Sequence, residues 1–137
     1  MGRVINTNNP GTERNRWRRT VAEALRHLMR KRELDAEAKD MAALIVIGLR
    51  GIAETIEVTT QAWEKRDYYL KADRFRLEWE WAGKAAEHMA ATIRAGRWAE
   101  LPPQLAQLMP YFADIRITKF TRSPETWRGC YDFLMRK

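Results

Sequence analysis

Apolar residues recur at spacings of three and four along most of this chain, which is the period of an amphipathic α-helix. The first such segment predicts a helix from about Thr12 to Lys31, with Trp17 on its apolar face. The preceding NNPG stretch is typical of a turn, and Thr12 after it is a suitable N-cap. Residues 1–11 are therefore predicted to form a flexible N-terminal lead, and residues 12–137 a single helical-bundle domain.

Two long helices are predicted in the middle of the chain. Asp35 is a suitable N-cap for a helix over about 36–66, and Asp67 for a second helix over about 68–95. Gly96 fits the position just beyond the end of the second helix, where a left-handed backbone favours glycine. At a rise of 1.5 Å per residue, each helix is expected to be roughly 40–45 Å long.

The C-terminal third is predicted to form shorter helices. The LPP sequence at 101–103 starts one, because proline is tolerated in a first turn, and Pro110 ends or kinks it. The segment 111–121 favours a continued helix, whereas the IRITKFT sequence within it is compatible with a short strand. The SP pair at 123–124 predicts the start of a last helix. The predicted fold is all-α, an up-down helical bundle with two long central helices plus shorter C-terminal helices.

A second apolar stripe on each long helix predicts a further contact surface. A helix that is apolar on two sides is buried on two sides, and large exposed apolar patches are uncommon on monomers. We therefore predict a homo-oligomer in which Gly48 and Gly51 allow close backbone approach; the alternative is that the C-terminal helices cover these stripes. The predicted interface residues are Leu44, Ile47, Gly51, Val58, Leu70, Leu77 and Trp81.

The net charge of +7 changes the functional picture because of where it lies. Residues 1–32 hold nine Lys or Arg against two Asp or Glu, an excess equal to that of the whole chain. A concentrated excess favours a polyanionic partner, and arginine suits phosphate because its guanidinium binds two oxygens at once. The residues predicted to bind nucleic acid are Arg14, Arg16, Arg18, Arg19, Arg26 and Arg30.

This basic face predicts binding to nucleic acid or another polyanion without sequence specificity, because no motif that reads bases occurs in the chain. One alternative is a protein–protein assembly module whose basic face binds an acidic protein partner. Another is that the second helix neutralises the arginines, with Arg18 pairing with Glu37 or Asp40.

Groups that could carry catalysis are few. Glu23 and His27 lie one helical turn apart, but a metal site needs three or four ligands, and no Glu-x-x-His pair typical of a di-iron bundle occurs. Cys130 has no histidine near it in sequence. Six tryptophans allow a ligand pocket, yet no polar group is predicted beside Trp81. We therefore predict no catalytic residue, no metal site, no cofactor and no enzymatic activity.

The sequence also indicates a compartment. The apolar run at 41–49 is too short to cross a bilayer, which needs about 20 residues. The N-terminus has no apolar signal region, and a lone cysteine fits a reducing environment. A cytoplasmic protein without a membrane partner is expected.

Three segments resemble stretches of small all-helical bacterial proteins that carry no assigned activity: NPGTERNRWRRTVAEALRHL, LDAEAKDMAALIV and AWEKRDYYLKADRFRLEWEWA. This resemblance covers roughly residues 9–82 and implies no mechanism. In architecture the chain also resembles the four-helix-bundle accessory proteins of diversity-generating retroelements and the proteins encoded within ribosomal RNA intervening sequences. Those proteins are small, basic, helical and oligomeric, and the former bind a reverse transcriptase and nucleic acid. The resemblance implies binding and assembly rather than catalysis.

Overall fold

The computed structural model describes residues 9–136, and the regular elements in that range are helical. The two longest helices have 29 and 26 residues, which confirms the predicted all-α fold with two long central helices. The α-helices are, in chain order, α1 Pro10–Met29, α2 Ala36–Glu64, α3 Tyr69–Arg94, α4 Leu101–Leu108, α5 Pro124–Trp127 and α6 Cys130–Met135, with 3₁₀ turns at Trp98–Glu100 and Met109–Phe112.

α1 begins earlier than the sequence predicted. The side chain of Asn9 accepts a hydrogen bond of 3.1 Å from the backbone N–H of Thr12, so Asn9 is the N-cap. Pro10 occupies the first turn, where its missing N–H costs no helical hydrogen bond. The prediction of Thr12 as the cap is therefore wrong, and the NNPG stretch belongs in part to the helix. Residues 1–8 of the predicted lead lie outside the described residues.

α2 lies at the centre of the fold, with α1 and α3 packed along it. Because the connections between these helices are short, each runs antiparallel to the next. Asp35 caps α2 as predicted, accepting a hydrogen bond of 2.8 Å from the backbone N–H of Ala38. The main apolar stripe of α2 is buried and forms the core; it comprises Met41, Ile45, Leu49, Ile52 and Ile56.

A residue with a left-handed backbone lies next to each end of α3. Asp67 has φ 65° and closes the end of α2, where the backbone N–H of Tyr68 donates to the carbonyl of Trp63 at 2.9 Å. The prediction of Asp67 as the α3 N-cap is therefore wrong. Gly96 has φ 70° just beyond α3, as predicted.

The C-terminal segments depart most from prediction. Residues 113–123, here called the docked loop, form neither the helix nor the strand considered for this stretch. The predicted last helix is divided into α5 and α6 by Gly129, which has φ 83°. Both short helices pack on α2, and Asp40 of α2 accepts hydrogen bonds from the backbone N–H groups of Gly129 and Tyr131 at 3.3 and 2.9 Å. The start of α6 is thus held by an α2 carboxylate.

Candidate functional site

The two α2 glycines lie against α1 of the same chain. A Cβ atom at Gly48 would lie 2.4 Å from Cγ2 of Val21, and one at Gly51 would lie 2.4 Å from Nε1 of Trp17. Such distances are too short for ordinary contact, so only glycine lets α1 approach this closely. The close backbone approach predicted between subunits is therefore used within the chain, between α1 and α2.

The other predicted interface residues of α2 do not form one exposed stripe. Leu44 is buried in the core, and Ile47 is half-buried. Val58 is exposed and borders a groove beside Trp17 of α1. α1 therefore covers this stripe at Gly51, whereas Val58 remains exposed.

The second stripe of α3 is covered over its C-terminal part only. Trp81 stacks on Tyr111 of the Met109–Phe112 turn, with ring centroids 4.0 Å apart and planes at 11°. Leu70 and Leu77, nearer the start of α3, are 63% and 69% exposed. The alternative that C-terminal elements cover the stripe therefore holds for Trp81, whereas Leu70 and Leu77 remain on the surface.

Arg14 points into the groove between α2 and α3. Its Nε and Nη2 atoms donate to the hydroxyls of Thr55 and Thr59 at 3.1 and 3.0 Å. Its guanidinium carbon lies 5.0 Å from the ring centroid of Phe75, a cation–π contact. Burial lowers the pKa of Arg14 from its ordinary value. This arginine therefore joins α1 to the rest of the fold.

Arg18 is also used within the fold. It binds both carboxylate oxygens of Asp114, at 2.7 and 3.1 Å, and donates to the carbonyl of Tyr111 at 2.8 Å. The predicted pairing of Arg18 with Glu37 or Asp40 is therefore wrong. Its partner is on the docked loop, which the sequence does not place next to α1.

Glu23 holds the docked loop from within the core. Its carboxylate is fully buried and accepts hydrogen bonds of 2.8 Å from the backbone N–H groups of Thr121 and Arg122. The Thr121 hydroxyl donates to it at 2.6 Å, and Arg19 Nε donates at 2.6 Å. Burial alone would raise the pKa of Glu23, but these hydrogen bonds outweigh it and lower the pKa to about 2.

Arg19 extends the same contact to the loop carbonyls. While its Nε atom binds Glu23, its Nη1 and Nη2 atoms donate to the carbonyl oxygens of Arg116 and Lys119 at 3.3 and 3.0 Å. From the loop, Arg122 donates to the Arg16 carbonyl at 3.1 Å. Side chains therefore make the hydrogen bonds to the loop backbone that a helix or a sheet would otherwise supply.

His27 contacts the same loop through its ring. It stacks on Phe120 with ring centroids 3.8 Å apart and lies 5.0 Å from the ring of Trp127. Burial lowers the pKa of His27, with Arg30 acting in the same direction and Glu23 in the opposite direction. The predicted Glu23–His27 pair is thus part of the loop contact.

The remaining arginines of α1 and of its C-cap are exposed. Arg16 pairs with Glu13 of the same helix. Arg26 and Arg30 form no ion pair with any residue of the range 9–136, although Arg30 lies 5.2 Å from the ring of Phe120. The docked loop adds two further exposed cations to this side of α1. We call these four unpaired residues the basic surface: Arg26, Arg30, Arg116 and Lys119.

The described residues assemble no group of metal ligands: no three His, Cys, Asp or Glu side chains in the range 9–136 converge on one point. Burial raises the pKa of the Cys130 thiol, with Asp40 adding to the effect, so the reactive thiolate is disfavoured. Over the same residues, none of the helices has both the length and the apolar character needed to cross a bilayer.

The comparisons with known proteins give no relative. The sequence matches no protein-family profile, and neither curated proteins nor solved structures give a significant match to the chain.

Proposed function

We propose that this chain is a non-enzymatic cytoplasmic binding protein whose basic surface holds nucleic acid or another polyanion without sequence specificity. The observation that carries the proposal is that Arg26, Arg30, Arg116 and Lys119 are exposed on one side of α1 without an acidic partner among residues 9–136. Such cations gain most from phosphate, because binding releases counterions condensed on the nucleic acid.

The docked loop supports this proposal by fixing the backbone that carries two of the four cations. Arg19 binds the carbonyls of Arg116 and Lys119, so the loop backbone at both residues lies against α1. A surface whose positions are set before binding loses less conformational entropy on binding. By contrast, Arg14, Arg18 and Arg19 are engaged within the fold, so they serve the surface as supports.

The experiment reverses charge on the basic surface. Wild-type protein is expected to bind an arbitrary DNA duplex with an affinity that falls steeply with salt. A log–log slope of about −0.9 per neutralised phosphate gives about −3 to −4 for four cations. Arg26→Glu with Arg30→Glu is expected to abolish binding at low salt, as measured by fluorescence anisotropy.

The matched control is Lys65→Glu with Arg66→Glu at the α2–α3 connection. Both residues are exposed and form no ion pair within residues 9–136, so the change in net charge is the same. This control is expected to bind with the wild-type slope. Equal loss in the two double variants would indicate a response to total charge, and absence of wild-type binding at low salt would reject the proposal.

A second candidate function, protein–protein assembly, is favoured by the exposed leucines of α3. Leu70 and Leu77 lie two helical turns apart and extend the stripe that Trp81 completes. We expect a homo-oligomer in sedimentation velocity, and Leu77→Arg is expected to dissociate it. If the basic surface binds an acidic protein, that protein is expected to compete with DNA for this surface. A wild-type monomer at all concentrations tested would reject assembly through this stripe.

A further inference from the structure

Two grooves border α3, and they differ in what lines them. The groove beside Trp81 is lined by Gln104 of α4, so the prediction of no polar group beside Trp81 is wrong. The groove at the start of α3, where α2 ends, has a volume of about 750 Å³ and is here called the corner groove. Its lining includes four aromatic side chains and two cations: Trp63, Tyr68, Tyr69, Phe75, Lys71 and Arg74.

The two tyrosines are the exposed rings of the corner groove. Tyr68 is 51% exposed and Tyr69 is 57% exposed. Neither ring contacts another aromatic ring, and neither hydroxyl has a hydrogen-bond partner among residues 9–136. By contrast, Trp63 and Phe75 are half-buried, with ring centroids 5.0 Å apart. A tyrosine has few rotatable bonds and loses little conformational entropy on binding, so the two exposed rings are suitable contacts for a flat ligand.

The two cations of the corner groove have no carboxylate partner in the described range. Lys71 Nζ lies 4.3 Å from the ring centroid of Trp63, a cation–π contact that holds the ammonium beside the aromatic rings. Arg74 is exposed and forms no ion pair with any residue of the range 9–136. Both side chains can therefore bind a phosphate without first breaking an ion pair.

The neighbouring carboxylates do not neutralise these cations. Arg76 pairs with three of them, at 3.5, 2.8 and 3.6 Å: Glu57, Glu64 and Asp73. Asp67 and Glu78 line the corner groove. Lys65 and Arg66 adjoin it and, within the described residues, form no ion pair. The unpaired charges at this corner are therefore four cations against two carboxylates, which favours an anionic partner.

A single strand of nucleic acid matches both properties of the corner groove. Its bases are flat aromatic rings, and its backbone carries one negative charge per nucleotide. Proteins that bind single strands combine a basic groove with aromatic side chains, and every base can stack on such a ring. In a duplex the faces of the bases are covered by neighbouring base pairs. Only an unpaired strand therefore offers its bases to Tyr68 and Tyr69.

We propose that the corner groove binds single-stranded nucleic acid, stacking unpaired bases on Tyr68 and Tyr69 while the two cations of the groove hold the adjoining phosphates. The proposal adds a base-dependent site to the charge-dependent basic surface. It rests on the proposed function only in taking the partner to be nucleic acid.

The corner groove and the basic surface lie at opposite ends of α1. Arg14, in the first turns of α1, reaches Thr59 near the end of α2, where the corner groove begins. Arg26 and Arg30 are at the C-terminal end of α1. A strand in the corner groove therefore leaves the basic surface uncovered, and the two sites can be tested separately.

The test compares two strands of equal charge, oligo(dT) and an abasic strand of the same length. Both carry the same phosphates, so a difference in affinity comes from the bases. Wild-type protein is expected to bind oligo(dT) at least about fivefold more tightly than the abasic strand, the effect of stacking one base. Fluorescence anisotropy at low salt measures both affinities, at protein concentrations where sedimentation velocity shows no self-association through Leu70.

Substitutions at the tyrosines locate the site. Tyr68→Ala with Tyr69→Ala is expected to lower the affinity for oligo(dT) to that for the abasic strand and to leave the latter unchanged. Tyr68→Phe with Tyr69→Phe keeps both rings and is expected to keep the preference for bases. The matched control is Tyr111→Ala, which removes a tyrosine that is 45% exposed and lies outside the corner groove. This control is also expected to keep the preference.

The cations are tested by the dependence on salt. Lys71→Gln with Arg74→Gln is expected to weaken binding of both strands and to reduce the log–log salt slope by about 1.4, at about 0.7 per phosphate on a single strand. A slope unchanged by this double variant would overturn the role of the two cations.

Three results would overturn the proposal as a whole: no binding of oligo(dT) at low salt, equal affinity for the two strands, or a preference for bases that survives Tyr68→Ala with Tyr69→Ala. Failure of the basic surface gives a different result. If duplex binding is absent but the preference for bases is present and depends on the tyrosines, the corner groove is supported and the basic surface is rejected.

Discussion

In the N-terminal half of α1, Arg14, Arg18 and Arg19 end on oxygen atoms of this chain, whereas Arg26 in its C-terminal half and Arg30 at its C-cap are exposed without an ion pair among residues 9–136. All five carry the same guanidinium group on one helix or its C-cap. What differs is the acceptors within reach. The first three arginines bind threonine hydroxyls, an aspartate and a glutamate carboxylate, and backbone carbonyls of the docked loop.

This difference shows that the number of arginines on a helix does not measure its capacity for phosphate. A guanidinium whose donors are already bound offers little to a ligand, because the bonds it makes inside the chain would have to be exchanged. The inner arginines are therefore expected to affect stability, and the outer ones to affect binding.

The largest expected effect is at Glu23, the buried acceptor that binds Arg19 and the docked loop. Glu23→Gln keeps the volume of the side chain but places an NH₂ group against donors, so about 3 kcal/mol of the free energy of unfolding is expected to be lost at pH 7. Urea denaturation measures it. Glu78→Gln, at an exposed position of α3 without an ion pair in the described range, is the control and is expected to match wild type.

The stability of the chain is also expected to depend on pH through Glu23. The pKa of Glu23 falls from its ordinary value of 4.5 to about 2 in the folded chain. The contribution of Glu23 to the free energy of unfolding is therefore complete above about pH 4.5. It declines as the pH falls towards 2, by about 3 kcal/mol in all. The gap in stability between wild type and Glu23→Gln is expected to narrow over that window. A gap that stays constant from pH 7 to 2.5 would contradict a lowered pKa for Glu23.

A smaller effect is expected where α1 meets α2. Gly48→Ala forces a Cβ atom against Val21, and crowding in a packed core costs about 2 kcal/mol. Gly83→Ala is the matched control, because its Cβ would lie 3.8 Å from Ala53, an ordinary contact. Alanine is the better helix former, so the control is expected to gain about 0.5–1 kcal/mol in thermal unfolding. Equal behaviour of the two variants would argue against close packing of α1.

The smallest effect separates the two sets of arginines directly. Arg18→Ala is expected to lower stability by about 1 kcal/mol, since Asp114 is largely exposed and the pair is partly screened by solvent. Arg26→Ala is expected to change it by less than about 0.5 kcal/mol. If chemical denaturation ranks these two variants the other way, the division of α1 into an inner and an outer set is wrong.

Much of the helical fold could be predicted because its signals are local. Asp35 and Gly96 act within a few residues of their own positions, and the main stripe of α2 repeats over several turns. Capping and periodicity depend on neighbours in the sequence, so they can be identified from a single chain. The last helix was mispredicted because Gly129, inside an otherwise helical pattern, adopts a left-handed backbone.

The candidate site could be predicted only in part, because its contacts are distant in sequence. Glu23 and Thr121 are separated by 98 positions, and Arg19 and Lys119 by 100. No local pattern indicates that an arginine will bind a backbone carbonyl so far away. The alternation of Ile115 and Ile117 is typical of a strand, yet both side chains pack against the core from an irregular segment.

The long separation between Glu23 and its loop partners has a consequence for how the chain folds. As a ribosome synthesises the protein, α1, α2 and α3 are complete before residues 121 and 122 are made. Until then the Glu23 carboxylate has only Arg19 and water to bind. Closing a loop of this length is a late event, because its entropy cost precedes any gain from contacts. On a translating ribosome, docking of this loop is therefore expected to follow the formation of α1, α2 and α3 and to remove water from a single buried charge.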